Sequence, residues 1–185
     1  MKEGKIKWDR VTWLSGIGLV ALLVVMWSML FAPRMGDGGF VRSWNDAHAI
    51  ERAVWLFEDT SGRLPTVGTY GFDSDDEEGR LFLAILLGKE ADESLAQNST
   101  KVPLLKLRTT MSAAAGGLLL GKESEIRGLY DGWGEPFEIL LRKPGERGVT
   151  LVHRGKTVTL ERPVVVFSKG EDRIAGTKDD VRTWE

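Results

Sequence analysis

Between Arg10 and Arg34 the chain runs 23 residues, Val11 to Pro33, without one charged side chain, and beyond that stretch apolar and polar positions mix at short periods. At about 1.5 Å per helical residue the uncharged stretch reaches roughly 35 Å, enough to cross a hydrocarbon core of about 30 Å with some tilt. Leu, Ile, Val and Phe fill eleven of its positions. Each favours the bilayer by roughly 0.3 to 0.6 kcal/mol, and Thr12, Ser15, Gly16, Gly18 and Ser28 offset only part of that sum. The pattern predicts a transmembrane helix over 11–33. A cleaved signal peptide is the competing reading, but its apolar core spans about 7 to 15 residues, and Phe31-Ala32-Pro33-Arg34 offers no small-x-small cleavage site. Four Lys/Arg stand in residues 1–10, against Arg34 and Arg42 in the fifteen residues after the span. This asymmetry puts residues 1–10 in the cytoplasm and residues 34–185 outside it, with Trp8 and Trp13 at the inner interface.

After the Pro33 to Gly39 break, Phe40, Trp44, Ala47, Ile50 or Glu51, Val54 and Phe57 recur at three- and four-residue steps, which predicts an amphipathic helix ending near Gly62. Arg63-Leu64-Pro65-Thr66 opens an irregular stretch. The acidic run Asp73 to Glu78 leads into Leu81, Phe82, Ile85, Leu86 and Leu87, with Gly88 placed as a C-cap. That is a second helix, its carboxylates meeting the positive end of the helix dipole. Residues 89–130 stay open: Val102 to Leu107 suits a short strand or an extended loop, and Ala113 to Leu120 is apolar but broken by glycines. From Pro136 the period changes to that of strands, in Phe137–Leu141, Val149–Val152, Thr157–Leu160 and Val164–Phe167. An antiparallel meander is the expected arrangement. The fold class expected is α+β, one long amphipathic helix laid on a small antiparallel sheet.

The roughly 150 residues beyond the apolar stretch suffice for one compact domain. Four of the 25 Lys/Arg and two of the 27 Asp/Glu precede Val11, which leaves 21 against 25 in residues 11–185 and a net charge of about −4. With no basic stripe and no interleaved aromatics, nucleic acid is not an expected partner. Cysteine is absent, which excludes disulfides, thiolate metal sites and a cysteine nucleophile.

Candidate chemistry concentrates near the carboxyl end. In Tyr130-Asp131-Gly132-Trp133-Gly134-Glu135-Pro136-Phe137, Asp131 can accept turn amides, the glycines open backbone angles closed to other residues, and Trp133 brings a large apolar area. A packed corner is expected there. Farther on, Asp172, Asp179 and Asp180 bring carboxylates together while Gly170 and Gly176 allow carbonyls to turn inward, as a hard cation seeking six to eight oxygens requires. The other reading of the same residues is three aspartates capping turns in water, with Lys169, Arg173 and Lys178 at hand to neutralise them. His48 and His153 lack the H-E-x-x-H or other context of a reactive site, and no P-loop or G-x-S-x-G sequence occurs. Asn98-Ser99-Thr100 fits a glycosylation sequon. No enzyme activity is expected.

Four segments together resemble the pilin-like superfamily, and specifically the major pseudopilin of type II secretion systems. They are the membrane helix running into an amphipathic helix with Ala47, Ile50, Ala53 and Phe57; Gly62-Arg63-Leu64-Pro65, similar to that family's G-x-(Y/L)-P turn; Asp131 to Phe137, similar to its D-x-W-G-x-P-(Y/F) segment; and Val166 through Val181 and Trp184, similar to its carboxy-terminal S-x-G-x-D…G…D-D/A-(I/V) loop. The resemblance implies a pilin-like fold in the bacterial inner membrane. It implies a structural role in a secretion pseudopilus or type IV pilus-like system, with other pilin-like subunits, inner-membrane components and copies of itself as partners. It also implies a structural Ca²⁺ held by carboxylates matching Asp172, Asp179 and Asp180, with oxygens near Phe167 and Ser168. The chain departs from the family at its start: Gly4 is followed by Lys5 rather than by an aromatic or Met, and no acid occurs from Val11 to Pro33. An unprocessed, divergent relative standing singly in the membrane is the alternative expectation.

Overall fold

The computed structural model describes residues 38–92, 94–153 and 155–184, so the expected membrane span over 11–33 lies outside the described residues. Among the described residues no helix is long and apolar enough to cross a membrane. The remainder is α+β. Helix α1, Gly38–Ser61, buries Ser43, Ala47, Ile50, Glu51, Ala53, Val54 and Phe57. Phe40 and Trp44, expected on that stripe, are 40% and 42% exposed, because the buried line runs 43-47-50-54-57 and they flank it. Gly62, at φ +70°, ends the helix in a left-handed conformation that costs glycine little.

Strand β1, Gly71–Asp73, comes next. It is followed by α2, Glu77–Leu87, where Asp76 caps the amino end by accepting the Gly79 N–H at 2.6 Å and Gly88, at φ +63°, caps the other end. Gly88 falls where the sequence puts a C-cap, and the amino-terminal cap comes from Asp76 within the acidic lead-in. The open stretch resolves into β2, Thr109–Thr110, β3, Gly117–Leu120, and β4, Ile126–Tyr130. Residues 102–107 are irregular. β3 pairs antiparallel with β4, and β2 adds two parallel pairs at the other edge.

The carboxyl-terminal third holds β5, Glu138–Leu141, β6, Val149–His153, β7, Lys156–Leu160, β8, Val164–Ser168, and β9, Val181–Arg182. These do not form the meander expected from the sequence. β5 pairs antiparallel with β8, while β6 and β7 fold onto each other as a separate hairpin between them. The main sheet has the order β1-β5-β8-β9. The physical reason lies in burial: β8 has four of five positions buried, as a central strand must, whereas β6 and β7 alternate toward solvent.

Alternation along the central strands sorts the side chains onto two faces. Ile139, Leu141, Val164, Val166 and Val181 join Ile50, Val54 and Phe57 of α1 in the main core, with Phe82, Leu129 and Phe137 fully enclosed. Glu138, Leu140, Val165 and Phe167 take the other face. Ser74 ties the two larger sheets together. Its hydroxyl donates to the Leu129 carbonyl at 2.5 Å and accepts the Phe137 N–H at 2.9 Å.

Candidate functional site

The corner and the terminal loop meet at one buried point. Asp131 is fully buried, and its Oδ1 accepts the N–H groups of Trp133 and Glu135, both at 2.9 Å. Its Oδ2 accepts the Ser168 hydroxyl at 2.5 Å, and Ser168 Oγ in turn accepts the Gly170 N–H at 3.2 Å. The corner therefore holds the start of the terminal loop. It also holds the helix: Ser43 Oγ donates to the Gly39 carbonyl at 2.8 Å and accepts the Gly132 N–H at 2.7 Å. The backbones touch there, since a Cβ on Gly132 would meet the Gly39 carbonyl oxygen and, at 2.5 Å, its Cα. Trp133 lies along Gly39 and packs on the edge of the main core.

The loop between β8 and β9 gathers the three aspartates around one hydroxyl. Thr177 Oγ1 lies 2.5 Å from Asp179 Oδ1 and 3.3 Å from both Asp172 Oδ1 and Asp180 Oδ1. A threonine hydroxyl carries one proton, so it can donate to only one carboxylate at a time. Backbone amides supply more donors, from Asp172 to Asp179 Oδ2 at 3.0 Å, from Ile174 to Asp172 Oδ1 at 2.8 Å and from Gly176 to Asp180 Oδ2 at 2.8 Å. The Thr177 hydroxyl and the Asp172 amide hold the Asp179 carboxyl below its ordinary range, because both favour the charged form.

The three carboxylates differ in commitment. Asp180 is buried and paired with the buried Arg182, whose NH2 lies 2.6 Å from Asp180 Oδ2 and 2.6 Å from the Thr177 carbonyl. Asp172 is exposed, Asp179 is half-buried, and neither carries an ion pair among the described residues. Of the cations expected to neutralise them, Arg173 instead reaches Glu135 at 3.1 Å. Gly170 has no room for a side chain, since a Cβ would sit 2.6 Å from Asp179 Oδ2 at φ +69°. Phe167 and Ser168, the two positions associated with the metal by resemblance, lie on β8 at the root of this loop. Among the described residues no group of three His, Cys, Asp or Glu side chains converges closely enough to hold a metal ion.

Elsewhere the candidate groups take structural places. Asn98 of the sequon is buried, its amide donating to the Ile85 and Val102 carbonyls at 3.0 and 2.9 Å. His48 stacks on Trp44 with ring centroids 4.0 Å apart. Burial pushes the Asp46 carboxyl on α1 up to about 6, even though Arg108 and Arg42 pull it down. Two of these features carried a sequence signal. Ser43 is a polar residue on the buried helical stripe, and Asp180-x-Arg182 sets opposite charges two residues apart where the loop runs into β9. No protein-family model, curated protein or solved structure matches the chain.

Proposed function

We propose that this chain is a membrane-anchored, pseudopilin-like structural subunit of a type II secretion or type IV pilus-like system. Residues 11–33 anchor it in the bacterial inner membrane, and residues 34–185 stand on the extracytoplasmic side. Its partners are other pilin-like subunits, copies of itself or inner-membrane components of the machine. The observation that carries this reading is the buried hydrogen bond from Ser168 to Asp131, with Gly132 bonded to Ser43 of α1. Three segments that resemble the family in sequence are thereby tied to one another, and a helix-on-sheet head of this kind suits assembly by surface contact.

Calcium belongs to the same proposal. Asp172 and Asp179 offer carboxylate oxygens beside the Thr177 hydroxyl, and Asp180 offers Oδ1 while Arg182 holds its Oδ2. The ion would supply the positive charge that Asp172 and Asp179 lack, fixing the loop without taking part in any reaction.

A second reading, a solitary anchored module, is favoured by Lys5 after Gly4 and by the absence of an acid from Val11 to Pro33. Cross-linking separates the two. Because the chain has no cysteine, Trp55→Cys, at a position 51% exposed on α1, provides a single reactive thiol. Oxidation of intact membranes is expected to give disulfide-linked dimers, or adducts with other subunits carrying a cysteine. Monomer alone, across several exposed positions of α1, would favour the solitary module.

A further inference from the structure

The face of the main sheet turned away from α1 carries a second feature, independent of the assembly reading. Between that face and the β6–β7 hairpin lies a recess of about 530 Å³, walled by Leu140, Val165, Phe167, His153 and Trp184, with Glu138 on its lining. Its size falls in the range of small-molecule sites. Val165 is fully buried yet stands outside the main core, so this side of the sheet is enclosed by the hairpin and the terminal loop rather than by the helix.

Trp184 is the centre of its aromatic wall. The Phe167 ring lies 6.2 Å from it at an interplanar angle of 32°, and the His153 ring lies 5.9 Å away, edge-on at 85°. Ring faces present the negative lobe of the aromatic quadrupole, which attracts cations. Glu138 is the direct cross-strand partner of Phe167 and shares its face. It is half-buried and has no hydrogen bond or ion pair among the described residues. A carboxylate so placed has lost part of its water without gaining a partner.

Of the neighbouring cations Lys169 acts on Asp73, and no ion pair joins a cation to Glu138 among the described residues. Across the sheet the row reads Asp73, Glu138, Phe167, Arg182. Asp73 adds a second negative charge on the strand beside Glu138. Arg182, the cation in the row, is committed to Asp180 and to the Thr177 carbonyl. The recess thus combines aromatic faces, aliphatic walls and a carboxylate that carries no ion pair among the described residues.

We propose that this recess is a binding site for a small methylated-ammonium compound, with the cationic head against Trp184 and Phe167 and its charge balanced by Glu138. A quaternary head has no donors to satisfy, so an aromatic wall and one carboxylate suffice for it.

The test is calorimetric titration of the full-length protein in micelles of an uncharged sugar-headgroup detergent. The probes are choline and its uncharged isostere 3,3-dimethylbutan-1-ol. Choline is expected to bind, and the isostere to bind about tenfold more weakly or worse, the size of one desolvated cation–π contact. Glu138→Gln keeps the shape of the lining and is expected to weaken choline binding about five- to tenfold while leaving the isostere unchanged. Trp184→Ala is expected to abolish both, and a native-like melting transition verifies that this variant still folds. Absence of choline binding, equal affinity for the two probes, or undiminished choline binding by Glu138→Gln would each overturn the proposal.

Discussion

Two aspartate-glycine turns lie within one short segment of each other in space, and they do opposite things with their carboxylates. Asp131 is wholly enclosed and its two oxygens accept three hydrogen bonds, from Trp133, Glu135 and Ser168. In the β8–β9 loop, Asp172 and Asp179 share the Thr177 hydroxyl at the surface, and Asp180 alone is buried against a cation. The residue types are the same. Burial and the supply of donors separate a lock from a loop with charge to spare, since a buried carboxylate persists only where its lone pairs are fully met.

That contrast can be broken most forcefully at the lock. Asp131→Ala strands two N–H groups and a hydroxyl in the interior, and the expected loss is about 3 to 5 kcal/mol of unfolding free energy, read from the urea midpoint. Thr177→Ala in the loop is expected to cost well under half of that. A similar cost at both sites would erase the distinction drawn between them.

Calcium sharpens the comparison from the loop side. At a concentration one hundred times the dissociation constant, an ion bound only by the folded form raises stability by about 2.7 kcal/mol. The melting temperature should therefore rise with added Ca²⁺ and fall with chelator, and Asp179→Asn should blunt the response. A transition indifferent to both would remove calcium from the proposed role.

The contact between corner and helix predicts a smaller effect. In Gly132→Ala the new methyl group meets the Gly39 backbone rather than a movable side chain, so the expected cost is about 2 kcal/mol, measured by the same unfolding series. Gly145→Ala is the reference for strain alone, since it has φ +81° with open space around it. It should cost less.

The smallest effect concerns pH. The Asp46 carboxyl, raised from 3.8 to about 6 by burial, binds its proton more tightly in the folded chain than in the unfolded one. The contribution of this group to stability is then fully present below pH 4, falls as pH rises toward 6, and levels off above that, opposite in sign to that of Asp179, whose lowered carboxyl loses stability in acid. Asp46→Asn should flatten this slope and add about 1 kcal/mol at pH 7, a figure reduced for the solvent that still reaches the half-buried group. Thermal melts of both proteins from pH 4 to pH 7 read it directly.

The elements legible from sequence were those whose signals are local. The α1 period, the acidic lead-in and Gly88 cap of α2, the runs that form β5 and β8, and the Asp131 turn all follow from spacing within a few residues. What sequence pattern left out depends on distant partners. β1 and β9 are three and two residues long, too short for an alternating period to show, and they exist because β5 and β8 offer them edges. The β5–β8 pairing skips a complete hairpin, so adjacency along the chain pointed to the wrong neighbour. The three- and four-residue steps put Trp44 on the buried stripe, yet Ser43 next to it is the residue buried, where its hydroxyl accepts the distant Gly132 N–H. At the candidate site the three aspartates are legible, whereas Arg182 as the counter-charge of Asp180 is not, because Asp180 lies in the loop and Arg182 on a strand too short to show a period.

The membrane anchor is the premise on which the proposed role stands, and alkaline carbonate extraction of membranes from cells making the native full-length chain tests it most directly. The account predicts that the polypeptide stays with the lipid pellet at its full mass. Recovery of the intact chain in the carbonate supernatant would contradict it.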